Sequence, residues 1–169
     1  MSRLFRVDTV ELEFANGERR SFEQLVSENV GGVVVVPISG NDLLLIEEYA
    51  LGIGTYELGF VKGAVDHGES PETAARRELQ EETGFAAGRI DLMETVTLMP
   101  AYSNFKSHIY LARDLSIDPL PGDEPEPLEQ HLWPICRINE LHRHPAISDA
   151  RTRLCLYLLE SRLNDLHPI

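Results

Sequence analysis

Residues 70–84 read SPETAARRELQEETG, and no other stretch of the chain restricts its fold so tightly. Ser70-Pro71 predicts a helix start, with a serine N-cap, proline at the first helical position and Glu72 in the first turn. Gly84 marks the stop. A helix over 71–83 carries Ala74, Ala75 and Leu79 on one side, small enough to lie close against a sheet, and Glu78, Glu81 and Glu82 on another. Like charges so spaced repel by about 0.2–0.5 kcal/mol per pair, at the helix end where the dipole is already negative. Most charge runs are solvated faces. Here the cap, the terminal placement and the flanking glycines favour cation binding instead. A hard divalent ion such as Mg²⁺ takes oxygen ligands, uses few carboxylates and keeps water or phosphate in its other positions. Such ions would relieve the repulsion, and their charge suits that end of a helix.

The residues before the helix extend this reading. Gly63 to Gly68 is expected to be a loop, with Glu69 at the helix mouth. Glycine at 63 would let backbone approach a ligand closely, and its carbonyl is a candidate metal ligand. Arg77 is expected to bond Glu69 or another acid and so hold a carboxylate in place.

The rest of the chain reads as strands around that helix. Segments 4–14 and 19–26 flank Asn16-Gly17, the strongest short-range hairpin signal. Val33 to Ile38 and Leu43 to Ile46 are short apolar runs broken at Gly40-Asn41-Asp42, which predicts two buried strands joined by a tight turn. Tyr56 to Phe60 predicts another strand, as do segments 89–98, 105–113 and His131 to Arg137. A Pro-rich acidic loop covers 118–130, and a last helix runs from Ser148 to Leu163. This order gives a mixed sheet with helices packed on it, an α/β or α+β sandwich.

At 169 residues one domain is expected, with residues 1–28 as a hairpin arm and 29–169 as the body. The formal charge of -13 disfavours long nucleic acid as a partner, because phosphate backbones are held by basic patches. It leaves room for a small phosphorylated ligand bound through metal. No apolar run approaches a membrane span, and the N-terminus alternates without a signal-peptide core, so no membrane partner and a cytoplasmic location are expected. Cys136 and Cys155 are expected to be buried thiols.

Residues 63–85 resemble the signature of the Nudix hydrolases at each fixed position: Gly63, Glu69, Arg77, Glu78, Leu79, Glu81, Glu82, Gly84 and Phe85. The resemblance implies a loop-helix-loop motif in an α/β/α sandwich and Mg²⁺- or Mn²⁺-dependent hydrolysis of a nucleoside diphosphate linked to another group. It implies Glu78, Glu81 and Glu82 as metal ligands, the Gly63 carbonyl as a further one, and Arg77 and Glu69 as supports behind them. The hairpin, Pro100, Tyr102, YELGF at 56–60 and GDEPEPL at 122–128 are similar to the ADP-ribose pyrophosphatase branch, and within it to bacterial enzymes acting on ADP compounds. That implies cleavage of ADP-ribose, NADH and diadenosine triphosphate to release AMP, by a homodimer that exchanges its hairpins. Glu57, Lys62, Pro100 and Tyr102 are then the expected substrate contacts. The general base is Glu82 on the helix or an acid of the mobile loop, with Glu126 preferred over Glu124 and Glu129; Asp123 lies in the same loop. Two departures stand out: Glu47-Glu48-Tyr49 lacks the arginine common in relatives, and Gly59-Phe60-Val61-Lys62-Gly63 lacks their proline-alanine. The rival readings are a nucleotide-sugar or NAD-cap pyrophosphatase, and a non-catalytic ADP-ribose or nucleotide sensor.

Overall fold

The computed structural model describes residues 6–27, 31–122 and 124–166. Its organising element is β3 (Gly32–Ser39), whose GVVVVPIS sequence is apolar on both faces because both faces are covered. β3 runs parallel to β8 (Lys106–Ile117) and antiparallel to β6 (Val61–Ala64). Its last residues, Ile38 and Ser39, turn through Gly40-Asn41 into β4 (Asp42–Ala50). β4 in turn carries β5 (Thr55–Gly59) and β9 (Glu129–Pro134), and β7 (Phe85–Thr97) pairs antiparallel with β8. The result is one seven-stranded mixed sheet.

Alternation along the strands divides the core. Val34, Val36, Leu43 and Leu45 pack with Cys155, Leu156 and Leu159 of α3 (Ala150–Leu166). Val33, Val35, Ile46 and Val61 pack with Ala74, Ala75 and Leu79 of α1 (Pro71–Thr83). Helices therefore cover both faces, as the sandwich reading expects, and the buried alanines let α1 sit close to the sheet. α1 starts and stops as its sequence dictates: the Ser70 hydroxyl accepts from Thr73 N–H at 3.1 Å, and Gly84 closes the helix in the left-handed region at φ 76°.

The hairpin β1 (Arg6–Glu13) and β2 (Arg19–Val26) forms a separate two-stranded sheet, in register from Arg6 opposite Val26 to Glu13 opposite Arg19. It is tied to the body where Leu25 N–H donates to Tyr102 C=O at 2.7 Å and Ser27 N–H to the Asn104 side chain at 2.7 Å. The part of the expected hairpin at residues 4 and 5 lies outside the described residues.

Four local expectations are corrected. Gly63 and Ala64 belong to β6 and not to a loop, because β3 offers them a partner in Gly63 opposite Val33. β7 begins at Phe85, directly after the helix stop. β9 ends at Pro134 and gives way to a 3₁₀ turn (Ile135–Arg137) and the short α2 (Ile138–Leu141), whose Ile138 and Leu141 are buried. Cys155 is buried, as expected, but Cys136, in the 3₁₀ turn, is exposed. Among the described residues no helix is long and apolar enough to cross a membrane.

Candidate active site

The site is built where β6 passes over the C-terminal half of α1. Glu78 lays its carboxylate against Gly63 so closely that a Cβ there would stand 1.9–2.4 Å from the carboxylate atoms. A side chain at 63 would push that carboxylate aside, since the strand pairing of Gly63 with Val33 holds the backbone in place. Arg77 fills the next space. Its Nη1 donates to Glu78 Oε1 at 2.8 Å and to Glu81 Oε2 at 2.9 Å, while Nε and Nη2 grip Glu69 at 3.2 and 3.0 Å. A further bond from Nη2 to Ala64 C=O at 3.0 Å fixes the guanidinium to β6. The fork holds Glu69 below its ordinary carboxylate range, and those same bonds push the arginine's own pKa up.

Glu82 has no such cation in contact. Its Oε2 is shut off from solvent without a hydrogen-bond partner, and burial first, then Glu78 and Glu48, push its pKa up to about 9. Lys62 opposes this shift and Glu124 adds to it. Lys62 itself is largely buried, donating to Phe60 C=O at 3.2 Å and lying 3.8 Å from Glu48.

The acidic loop returns to the same place. Glu81, Glu82, Glu124 and Glu126 line one cleft of about 400 Å³, together with Thr83 and Gly84. Glu126 Oε1 accepts from the Tyr56 hydroxyl at 2.7 Å, whereas Glu129 stands on β9 beside His131 at 3.8 Å. Asp123 lies outside the described residues.

Glu57 lies opposite Glu48 in the β4–β5 pairing, and its Oε1 accepts from Ser148 N–H, Ser148 hydroxyl and Asp149 N–H at 2.5–2.7 Å, tying β5 to the segment that leads into α3. Pro100 and Tyr102 lie in the turn that holds the hairpin, with the Tyr102 ring half exposed. The structure thus gathers Gly63, Lys62, Glu69, Arg77, Glu78, Glu81, Glu82, Glu124 and Glu126, and leaves Glu57, Pro100, Tyr102 and Glu129 on other supports. Sequence reasoning missed Glu48 and Tyr56 as neighbours of the acids. Their positions on β4 and β5 carry no spacing that links them to a helix farther along the chain.

Among the described residues no three acidic or imidazole side chains already converge on one point, because Arg77 occupies the space between Glu78 and Glu81. The chemistry nonetheless fits a hard divalent cation: the donors are oxygens, and a buried carboxylate oxygen lacks any partner.

The NUDIX domain matches residues 29–155 and the NudE-type Nudix hydrolase N-terminal domain matches residues 1–24, and the chain belongs to the Nudix hydrolase family. It is 44% identical over 162 residues to the ADP compounds hydrolase NudE of Escherichia coli (strain K12), covering 96% of this chain and 87% of that one. The ADP-sugar pyrophosphatase of Mus musculus is 32% identical over 108 residues, covering 57% of this chain and 50% of that one. A crystal structure of an ADP compounds hydrolase superposes with a TM-score of 0.93 at 43% identity, over 100% of this chain and 91% of that one.

Gly63→Ala should dislodge Glu78 and lower turnover about 10–100-fold, the usual cost of disturbing the supports of a metal-dependent site. Full activity in that variant, measured under saturating metal, would refute the close packing. Glu82 also predicts a pH dependence of stability in chelator. Its folded pKa of about 9 lies above its ordinary value, so its contribution is complete at acid pH and is lost as pH rises through 9. Glu82→Gln, which stays neutral, should therefore match the native protein near pH 5 and melt higher by pH 9, with each kcal/mol worth about 2–4 °C. Parallel melting curves at both pH values would contradict the shift.

Proposed function

We infer that the protein is a divalent-metal-dependent hydrolase that cleaves the pyrophosphate bond of ADP-linked compounds and releases AMP. The observation that carries this is the buried, unpartnered Glu82 oxygen in a cleft that also takes in Glu81 and the acidic loop. Glu78, Glu81, Glu82 and the Gly63 carbonyl would hold Mg²⁺ or Mn²⁺, which when bound neutralises phosphate charge and makes water a better nucleophile. Arg77 and Glu69 keep the helix carboxylates in place. Lys62 supplies a positive charge beside Glu82, where a phosphate would otherwise meet only acids. Glu124 is the loop acid closest in effect to Glu82, and we assign it the water's proton, with Glu82 itself as the other choice. Pro100 and Tyr102 border the hairpin and would meet the far end of the substrate. Glu57 would act on substrate only by holding β5.

ADP-ribose, NADH and diadenosine triphosphate share the ADP group and an anhydride, and all three are proposed substrates. The similarity to the mouse ADP-sugar pyrophosphatase adds ADP-sugars as the second reading. The enzyme's workplace is taken to be the cytoplasm, consistent with its free thiols. Incubation of these compounds with Mg²⁺ or Mn²⁺ should release AMP, and Glu82→Gln should slow that release at least about a hundredfold. Binding of ADP-ribose without release of AMP in either metal would make the protein a sensor instead.

A homodimer is proposed through the hairpin. Leu12, Phe14 and Phe22 are each exposed by more than two fifths on it, and the two phenylalanine rings meet edge to face at 6.1 Å. A two-stranded ribbon with such a face needs another surface to cover it. Light scattering should report a dimer for the native chain and a monomer for Phe22→Glu; a native monomer would refute the arrangement.

A further inference from the structure

The geometry points to Tyr56 as a positioning residue that pins the middle of the acidic loop over the catalytic cleft through its hydroxyl bond to Glu126. This rests on the hydrolase reading above and adds to it the device that sets the loop's carboxylates.

Both ends of the loop are stitched to one place, the C-terminal end of α1. Gln80 Nε2 donates to Asp118 C=O at 2.9 Å and to Asp118 Oδ2 at 3.1 Å. Gln130 Nε2 donates to Thr83 C=O at 3.0 Å. Gly122 passes so near the helix that a Cβ would lie 3.1 Å from Glu81 C=O. These ties hold the stem of the loop. Its middle carries Glu124 and Glu126 into a cleft already lined by Glu81 and Glu82, and like charges in one cleft repel. A bond reaching Glu126 from outside the loop opposes that repulsion.

Tyr56 supplies the attachment from a different element. Its hydroxyl donates to Glu126 Oε1 at 2.7 Å across seventy residues of sequence. The ring is braced by Tyr49, its direct partner across β4 and β5, edge to face at 5.4 Å. Being neutral, the donor holds a carboxylate without cancelling the negative charge that a cation needs. Glu126 is thereby committed as an anchor, and Glu124, two residues earlier, is the loop acid set beside Glu82. The bond is exposed to water, so it is strong enough to bias the loop and weak enough to break as substrate enters and leaves.

The test compares Tyr56→Phe, Glu126→Ala and the double variant in the full chain, by amide hydrogen exchange and by steady-state kinetics on an ADP-linked compound that the native enzyme cleaves. Tyr56→Phe should raise exchange across residues 118–130 at least about threefold while α1 and β3 keep native protection. Its kcat should fall about five- to tenfold with KM within about twofold, since the loop acids are then out of place for the chemical step while the contacts that bind substrate remain. Glu126→Ala should match it, and the double variant should be no slower than the slower single, the mark of one shared interaction. Unchanged loop exchange, or a native kcat in Tyr56→Phe, would overturn the proposal. So would a Glu126→Ala enzyme slower than Tyr56→Phe by about a hundredfold, which would make Glu126 the reacting base. Were the native enzyme inert toward every ADP-linked compound, the hydrolase reading would fall, and loop exchange alone would decide whether Tyr56 holds the loop.

Discussion

Glu78 can lie against β6 only because residue 63 has no side chain, and the rest of the site follows from that contact. The carboxylate of Glu78 fixes where Arg77 can reach, since one guanidinium nitrogen must serve both Glu78 and Glu81. Arg77 then fixes Glu69 at the mouth of the helix and ties itself to β6 through Ala64. Three acids and one strand are held by a single planar cation. This is a use to which lysine, with one mobile charge, could not be put.

The same network divides the acids into two kinds. Glu69, Glu78 and Glu81 share one protein cation, which holds all three in place while offsetting only part of their charge. Glu82 lies beyond the fork's reach, is buried without a partner for one oxygen, and takes up a proton in the absence of anything better. Burying an uncompensated carboxylate works against stability, which is the ground for the metal-holding role proposed for Glu82.

Much of this was legible in the sequence, and for a physical reason. The cap, the small face and the acids of α1 are all encoded within one helix, where spacing alone decides which side chains share a face. Ser70, Ala75, Leu79 and Gly84 each do what their position predicts. What could not be read were contacts between segments far apart in the chain. Gly63 looked like loop because its strand partner, Val33, lies thirty residues away. Glu48 gave no local sign of standing beside Glu82, and Glu57 gave none of holding the start of α3, since each depends on how β4 and β5 curl around the sheet. Cys136 is exposed against expectation, because cysteine number and spacing say nothing of the 3₁₀ turn that carries it.

The pairing of β3 has a further consequence for how the enzyme comes into being. Its two flanking partners, β6 and β8, are the strands between which α1 is strung. During synthesis the acidic helix emerges before β8 exists to close the sheet, and in isolation its like charges weaken it. Gly63 meets Glu78 only once β6 is seated against β3, and that seat is completed by a strand made later. Catalytic competence therefore arrives with the closing of the sheet: a half-made chain has the acids but not the arrangement that makes them useful.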